Sequence, residues 1–213
     1  MDQIEQGSQE WLELRLGKIT ASRLSDVLAK GKGNAESITR TKYRNELIRE
    51  RLTGKKIEGY SSPSMERGSL LEPLARAFYE VKNNLMVGQI SFVQHPIIKN
   101  AGASPDGLVG EDGLLEIKCP DPANHIAYIL DGGNSLSTKY NNQVQFQLCC
   151  TGRSWCDLAS YDPDIDEDLQ MFIVRIYRDD EYIKMMESEV IKFDEEITET
   201  ILYLKEKRNA NDT

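Results

Sequence analysis

Apolar and polar residues along this chain follow two periods in turn. A repeat of about 3.6 residues marks a helix over Gln9–Arg15, with Trp11, Leu12 and Leu14 apolar, and a second over 21–28 with Thr20 as N-cap. The stretch 37–52 reads as an amphipathic helix carrying Ile38, Tyr43, Leu47 and Ile48. A further helix from 64 to about 81 offers Leu71, Leu74, Ala75 and Phe78 as its core face, after a loop over 54–63. Strict alternation and β-forming residues mark strands at 88–94, Trp155–Tyr161 and Met171–Tyr177. Helices are expected over 123–130 and 139–148, separated by a glycine-rich loop at 131–137. A long, acidic, weakly amphipathic helix over 184–207 closes the pattern. No repeat, low-complexity segment or linker divides the chain, so 1–208 reads as one domain and 209–213 as a disordered tail. This mixture of periods indicates an α/β fold, a central mixed, twisted β-sheet flanked by helices.

The most informative stretch is 103–120. Two short strands, 103–109 and 114–118, are joined by Gly110-Glu111-Asp112-Gly113, and Asp112-Gly113 is a favoured hairpin-turn dipeptide. Pro120 stops the return strand. Alternation puts Glu116 and Lys118 on one face and Leu115 and Ile117 on the other, and the hairpin can bring Asp106 beside the first pair. Two carboxylates on rigid strands suit Mg²⁺ or Mn²⁺, hard ions that take oxygen ligands. Such an ion makes a nucleophile of water at neutral pH, and Lys118 stands where it can orient that water and neutralise a phosphoryl group. Taken alone, Asp…Glu-x-Lys is equally a surface hairpin with one weak ion pair. The neighbouring motifs decide between the two.

Composition narrows the function classes. At 213 residues the chain suits one domain with a real core, and no apolar run approaches a membrane span. The polar, acidic N-terminus lacks the regions of a signal peptide, so no export is expected. A net charge of −9 argues against wholesale coating of nucleic acid. Acids concentrate at 157–168 and 179–199 whereas bases crowd 18–56, as in a protein with one basic DNA-facing side and an acidic exterior. The 4 cysteines show no C-x₂-C spacing and read as buried, reduced thiols of a cytoplasmic protein. The 2 histidines suggest no metal-ligand cluster.

Pro105-Asp106 followed by Glu116-Ile117-Lys118 resembles the PD-(D/E)xK nuclease signature. The fuller strings Ser-Pro-Asp-Gly-Leu at 104–108 and Leu-Glu-Ile-Lys-Cys-Pro at 115–120 resemble one branch, the phage lambda exonuclease (viral recombinase) family. From Trp11 to about Tyr182 further motifs keep that family's order: Trp11-x₃-Arg15-Leu-Gly-x-Ile-Thr-Ala-Ser22, Gly68-x₃-Glu72, Tyr140-x₂-Gln143-Val-Gln145 and Tyr161-Asp162-Pro163. The resemblance implies a restriction-endonuclease-like core. It also implies a metal-dependent 5′→3′ exodeoxyribonuclease, processively digesting one strand of linear duplex DNA to leave a 3′ overhang for strand-annealing recombination. On that footing Asp106, Glu116 and the Ile117 carbonyl hold two Mg²⁺ (or Mn²⁺) ions with help from Glu72, and Lys118 orients water. Gln143 then faces the active-site phosphates, and Arg15, Ser22 and Ser104 bind a 5′ phosphate. The chemistry agrees, since arginine grips phosphate as a planar fork and a serine at a helix start adds donors. Lys32 aligns with a residue that reaches DNA, and Met65 with an apolar wedge between the strands of the duplex end. Relatives of this kind form ring-shaped homotrimers, pair with a single-strand annealing protein and work in the cytoplasm of a bacterial host, encoded by phage or prophage. Two other readings stay open: an endonuclease (restriction or junction-resolving) on the same fold, and a non-catalytic DNA-binding protein that keeps it.

Overall fold

The computed structural model describes residues 4–33, 35–57 and 62–211. Asn34 of the basic loop, part of the loop expected over 54–63, and residues 212–213 of the expected tail lie outside them.

The first helix, α1 (Gln9–Arg15), is capped by the Ser8 hydroxyl, which accepts the Trp11 N–H. Next come β1 (Ile19–Thr20), one 3₁₀ turn (Ala21–Arg23) and the short α2 (Leu24–Val27). The continuous helix expected over 21–28 is therefore interrupted. Ile19 and Thr20 are drawn into parallel pairing with β4 (Ala101–Ala103), and Thr20 makes no capping bond. Its N–H goes instead to the Tyr43 hydroxyl at 3.1 Å.

The chain continues through α3 (Ile38–Thr53), α4 (Pro63–Asn83), β2 (Val87–Gly88), β3 (Val93–Gln94), β5 (Gly107–Val109) and β6 (Gly113–Lys118). After α5 (Pro122–Leu130) and α6 (Asn134–Thr151), β7 (Trp155–Tyr161) and β8 (Met171–Tyr177) have the expected bounds, and α7 (Asp180–Asn211) closes the order. The strand expected over 88–94 is two short ones in different sheets, β2 beside β5 and β3 beside β4. Most of the expected loop 131–137 is the first turn of α6, because the Asp131 carboxylate accepts the Gly133 and Ser135 N–H groups, each at 2.9 Å. α7 runs on through 209–211, where a disordered tail was expected, since no proline or glycine interrupts its ladder.

The strands form a three-stranded sheet, β1-β4-β3, and a five-stranded sheet, β2-β5-β6-β7-β8. Both are mixed, β1·β4 and β6·β7 being the parallel pairs. β6 is central and covered on both faces. Leu115 and Ile117 pack with Ala75 and Tyr79 of α4. Leu114 packs on the other face with Val144 and Leu148 of α6. Gly113 belongs at the strand start because a Cβ there would lie 2.2 Å from the Trp155 ring. The left-handed turn residue of the hairpin is Gly110, at φ 54°. The Arg153 guanidinium fastens this turn by donating to the carbonyls of Gly110 at 3.0 Å and Gly113 at 2.6 Å.

Three apolar positions depart from expectation. The line of α4 resting on the sheet is Ala75 and Tyr79; Leu74, about 100° further round the helix, is exposed, and Leu71 is only half-buried. Ile38 is also exposed, because α3 buries only its later turns through Tyr43, Leu47 and Ile48. The basic stretch is less free than its charge suggests. Arg40 and Arg44 pair with Glu36 and Glu196, Arg51 with Asp194, and Arg23 with Asp26 and Glu46. Acids of α7 thus neutralise part of the side that sequence order alone marks as basic.

Candidate active site

The pairs Gly107↔Leu115, Leu108↔Leu114 and Val109↔Gly113 set the hairpin register. Extended by one residue, that register places Asp106 opposite Glu116. Asp106 Oδ2 accepts the Ile117 N–H at 2.6 Å, which holds the carboxylate against β6. Glu116, 2% exposed, projects toward α6. Its Oε1 accepts from Lys118 Nζ and Gln143 Nε2, each at 2.5 Å, and its Oε2 from Gln147 Nε2 at 2.6 Å. Lys118 Nζ also donates to Gln143 Oε1 at 3.3 Å and lies 4.6 Å from the Tyr140 ring centre. Glu72 comes from α4 and is held by Arg76 at 3.1 Å. One cleft of about 590 Å³ is lined by Glu72, Asp106, Glu116, Ile117, Lys118, Tyr140 and the exposed Met65 among others. Arg67 fastens α4 to the chain leaving β6, donating to Pro120 O at 2.7 Å and Asp162 Oδ1 at 3.0 Å.

Electrostatics fit this crowding. Burial pushes the Asp106 carboxyl well above the usual range, and the Glu116 and Glu72 carboxylates add to it. Burial also raises Glu72, against the pull of Arg76. Burial alone would lower the Lys118 ammonium, but Glu116 and Asp106 more than reverse that, so it is held charged. Burial pushes the adjacent Cys119 thiol up to about 11, so it stays protonated and is a poor ligand. The donors left facing the cleft are oxygens, and carboxylates that repel one another are stabilised by a cation between them. This set fits a hard divalent ion.

A second group adjoins the first. Arg15, at the end of α1, donates to Ser104 Oγ at 3.2 Å and stacks on Trp11 at 4.1 Å. Trp11 Nε1 donates to the same Ser104 Oγ at 3.0 Å. Ser22 stands two residues beyond Thr20 and Ser104 two beyond Gly102, and Thr20 and Gly102 are parallel partners, so both serines follow the same end of the sheet. Burial lowers the Arg15 guanidinium, while Tyr43 and then Glu116 act the other way, so Arg15 lies within electrostatic reach of Glu116. Lys32 is not gathered in. It is exposed on the loop between α2 and α3 and is not among the residues that line the cleft.

Sequence reasoning passed over Gln147, Arg76 and Trp11's link to Ser104. Gln147 carried a signal: it stands four residues after Gln143, on the same helix face. It also passed over a cluster at the far side of α6, where His95, Cys149 and Glu187 offer atoms within 4.8 Å of one another. His95 Nδ1 accepts the Ile97 and Ile98 N–H groups at 3.2 and 3.0 Å, so its proton sits on Nε2, the nitrogen facing Cys149 and Glu187. That nitrogen donates and cannot ligate, and the trio is a hydrogen-bonded tie between the chain just after β3, α6 and α7. All four cysteines are free thiols, and all but the half-buried Cys119 are buried.

Comparison with known proteins agrees with this geometry. Residues 10–154 match the model of the YqaJ-like viral recombinase domain. The chain superposes on an alkaline exonuclease of Laribacter hongkongensis, LHK-Exo, with a TM-score of 0.87 and 44% identity, covering 95% of this chain and 99% of that one. A complex of LHK-Exo with dAMP matches with a TM-score of 0.88 at the same identity and coverage. A phage-related exonuclease of Haemophilus somnus 129PT shares the fold, with a TM-score of 0.73 at 15% identity over 88% of this chain and 96% of that one. An uncharacterized protein of Acanthamoeba polyphaga mimivirus is 29% identical over 168 residues, 73% of this chain; the chain spans only 29% of that protein's length. The resemblance read from the motifs is borne out, and the chain belongs to the YqaJ-like viral recombinase family.

Proposed function

We propose that this protein is a nuclease acting on DNA, a metal-dependent 5′→3′ exodeoxyribonuclease that digests one strand of a linear duplex and leaves a 3′ overhang. The observation that carries the reading is the convergence of Asp106, Glu116, Glu72 and Lys118 on one cleft. Whole-length likeness to an alkaline exonuclease supports it. Asp106, Glu116, the Ile117 carbonyl and Glu72 would hold Mg²⁺ (or Mn²⁺), as two ions. Bound there, such ions promote ionisation of water and neutralise charge on the scissile phosphate. Lys118, kept charged by Glu116 and Asp106, orients the attacking water and opposes negative charge building on the phosphoryl oxygens. Gln143, already bonded to Glu116 and Lys118, holds both groups toward that phosphate. Gln147 fixes the remaining oxygen of Glu116 from behind. Met65 stands exposed at the cleft, where it can part the strands of a duplex end.

Arg15, Ser104 and Ser22 make a terminal 5′ phosphate the handle that sets the scissile bond against the metal site. That LHK-Exo has been crystallised with dAMP, a deoxynucleoside monophosphate, is in keeping with such a site. Charge-assisted bonds to phosphate contribute roughly 1.5–3 kcal/mol each. Arg15→Ala is therefore expected to slow digestion of 5′-phosphorylated duplex by about one to two orders of magnitude. The loss on 5′-hydroxyl duplex should be far smaller. Rates on linear duplexes labelled at either end give both polarity and dependence, and equal slowing on both substrates would remove the end-recognition reading. Activity on a circular duplex without ends would favour the endonuclease alternative instead.

The assembly in this reading is a homotrimeric ring around DNA, working with a single-strand annealing protein in phage recombination within the bacterial cytoplasm. No helix among the described residues is long and apolar enough to cross a membrane. With a net charge of −9 and several arginines neutralised by α7, gathering the remaining cations around a channel is the way to hold duplex DNA. Light scattering at micromolar protein should report a mass near three chains, and a strict monomer that remains processive would defeat the ring.

A further inference from the structure

One buried carboxylate ties together two stretches of chain behind Arg15. Glu50 on α3 is 5% exposed. Its Oε2 accepts the Gly17 N–H at 2.8 Å and its Oε1 the Ile57 N–H at 3.4 Å. The next residue, Arg51, donates Nε–H to the Gly17 carbonyl at 2.8 Å, so both polar groups of Gly17 are held from α3. Gly17 turns the chain at φ 68° two residues after Arg15, and Ile57 follows Lys56 directly. The clasp therefore sets the backbone positions of both cations.

A buried charge is an expensive way to fix a loop, and Glu50 has no cationic side chain bonded to it among the described residues. What it secures is two like charges close together. Partial desolvation, and then the nearby Arg15 guanidinium, hold the Lys56 ammonium below its ordinary pKa, outweighing the opposite pull of Glu50 and Glu46. Lys56 is exposed and makes no hydrogen bond or ion pair with the described residues. Among the described residues Arg15 is hydrogen-bonded only to the neutral Ser104 hydroxyl, whereas Arg23, Arg40, Arg44, Arg51 and Arg67 are each paired with a carboxylate. Neighbouring cations with no acid bonded to either are stabilised by an anion that reaches both, and a phosphate dianion has the charge to do so.

We infer that Lys56 is a second cation for the terminal phosphate, beside Arg15, and that Glu50 is the positioning residue keeping both on it. This rests on the end-recognition reading given above, and it adds a residue outside the motifs that suggested that reading. The contribution of an exposed lysine is smaller than that of a fork-bonded arginine, and salt screens it more.

The test is the ratio of digestion rates on 5′-phosphorylated and 5′-hydroxyl duplex, measured at low and high salt. Lys56→Gln is expected to lower that ratio about threefold to tenfold, more at low salt, while Lys56→Arg retains it. Glu50→Gln should lower the ratio too, because an amide cannot accept both N–H bonds. A glutamate that merely stabilised the fold would slow both substrates alike and leave the ratio unchanged, which would overturn its positioning role. Arg15→Ala is run alongside. A ratio lowered by Arg15→Ala but untouched by Lys56→Gln overturns this inference and spares the pocket. A ratio lowered by neither variant overturns both.

Discussion

Asp106→Asn should abolish hydrolysis, by about a thousandfold or more, and at the same time make the metal-free protein harder to unfold at neutral pH. Activity goes because the carboxylate opposite Glu116 is the rigid half of the proposed metal site, fastened to the Ile117 N–H. Stability rises because burial, with Glu116 and Glu72 nearby, holds the Asp106 carboxyl well above its value in the unfolded chain. A carboxyl raised by folding weighs nothing against the fold at pH below the unfolded value, where both states are protonated. As pH climbs past that value the unfolded chain ionises first, and the native state loses ground until the folded carboxyl ionises too. Asparagine removes this penalty, so the gain in melting temperature should be absent in acid and grow through the pH range above ordinary carboxylates. Melting in chelator against pH checks this. A variant that melts like the parent at every pH would show that Asp106 is not under strain. Hydrolysis well above background in Mg²⁺ would remove Asp106 from the site.

Lys118→Met should be as inactive in practice but opposite in stability. Its ammonium is bonded to Glu116, is 19% exposed, and is the charge facing both Glu116 and Asp106. Removing it leaves buried carboxylates without a counter-charge, a change that typically costs about 3–5 kcal/mol. Burial already raises the Asp106 carboxyl, so it takes up a proton readily as pH falls, and that loss should shrink in acid. Hydrolysis should drop by about two to four orders of magnitude, since the group proposed to orient water and oppose phosphoryl charge is gone. An ammonium is not a metal ligand, so Mg²⁺ should still raise the melting temperature of the variant. That response separates Lys118→Met from Asp106→Asn, in which it should be weak. A Lys118 variant that hydrolyses DNA at the parent rate would end its assignment.

The two predictions turn on residues close to the hairpin turn dipeptide, Asp106 six positions before Asp112 and Lys118 five after Gly113, and this is why the sequence was so informative about them. Alternation along a strand is set by backbone geometry, so Glu116 and Lys118 share a face whatever the rest of the molecule does. A hairpin of this length has few registers, and the one adopted puts Asp106 opposite Glu116. The bounds of β7 and β8 were legible for the same reason, as local runs of β-forming residues. Arg15, Ser22 and Glu72 were reached only through resemblance, because nothing in their spacing says that α1, β1 and α4 converge.

What the chain order could not convey is which distant segments meet. Thr20 read as the N-cap of a helix and Ile19 as the approach to it, and both became a strand because Ala101–Ala103 was there to pair with them. Arginines that crowd early in the chain lost much of their free charge to acids of α7, some 150 residues later. Gln147 became a donor to Glu116, and Glu50 a clasp on two loops, through contacts separated by 31, 33 and 7 residues. His95, Cys149 and Glu187 came together from three elements, and only the two backbone N–H groups at Nδ1 decide that the cluster donates a proton. The bounds of β7 and β8 and the hairpin triad are fixed by forces acting within a few residues, which a sequence displays directly. Pairing partners, charge neutralisation and second carboxylate donors depend on how whole faces pack, and that is settled only when the chain has folded.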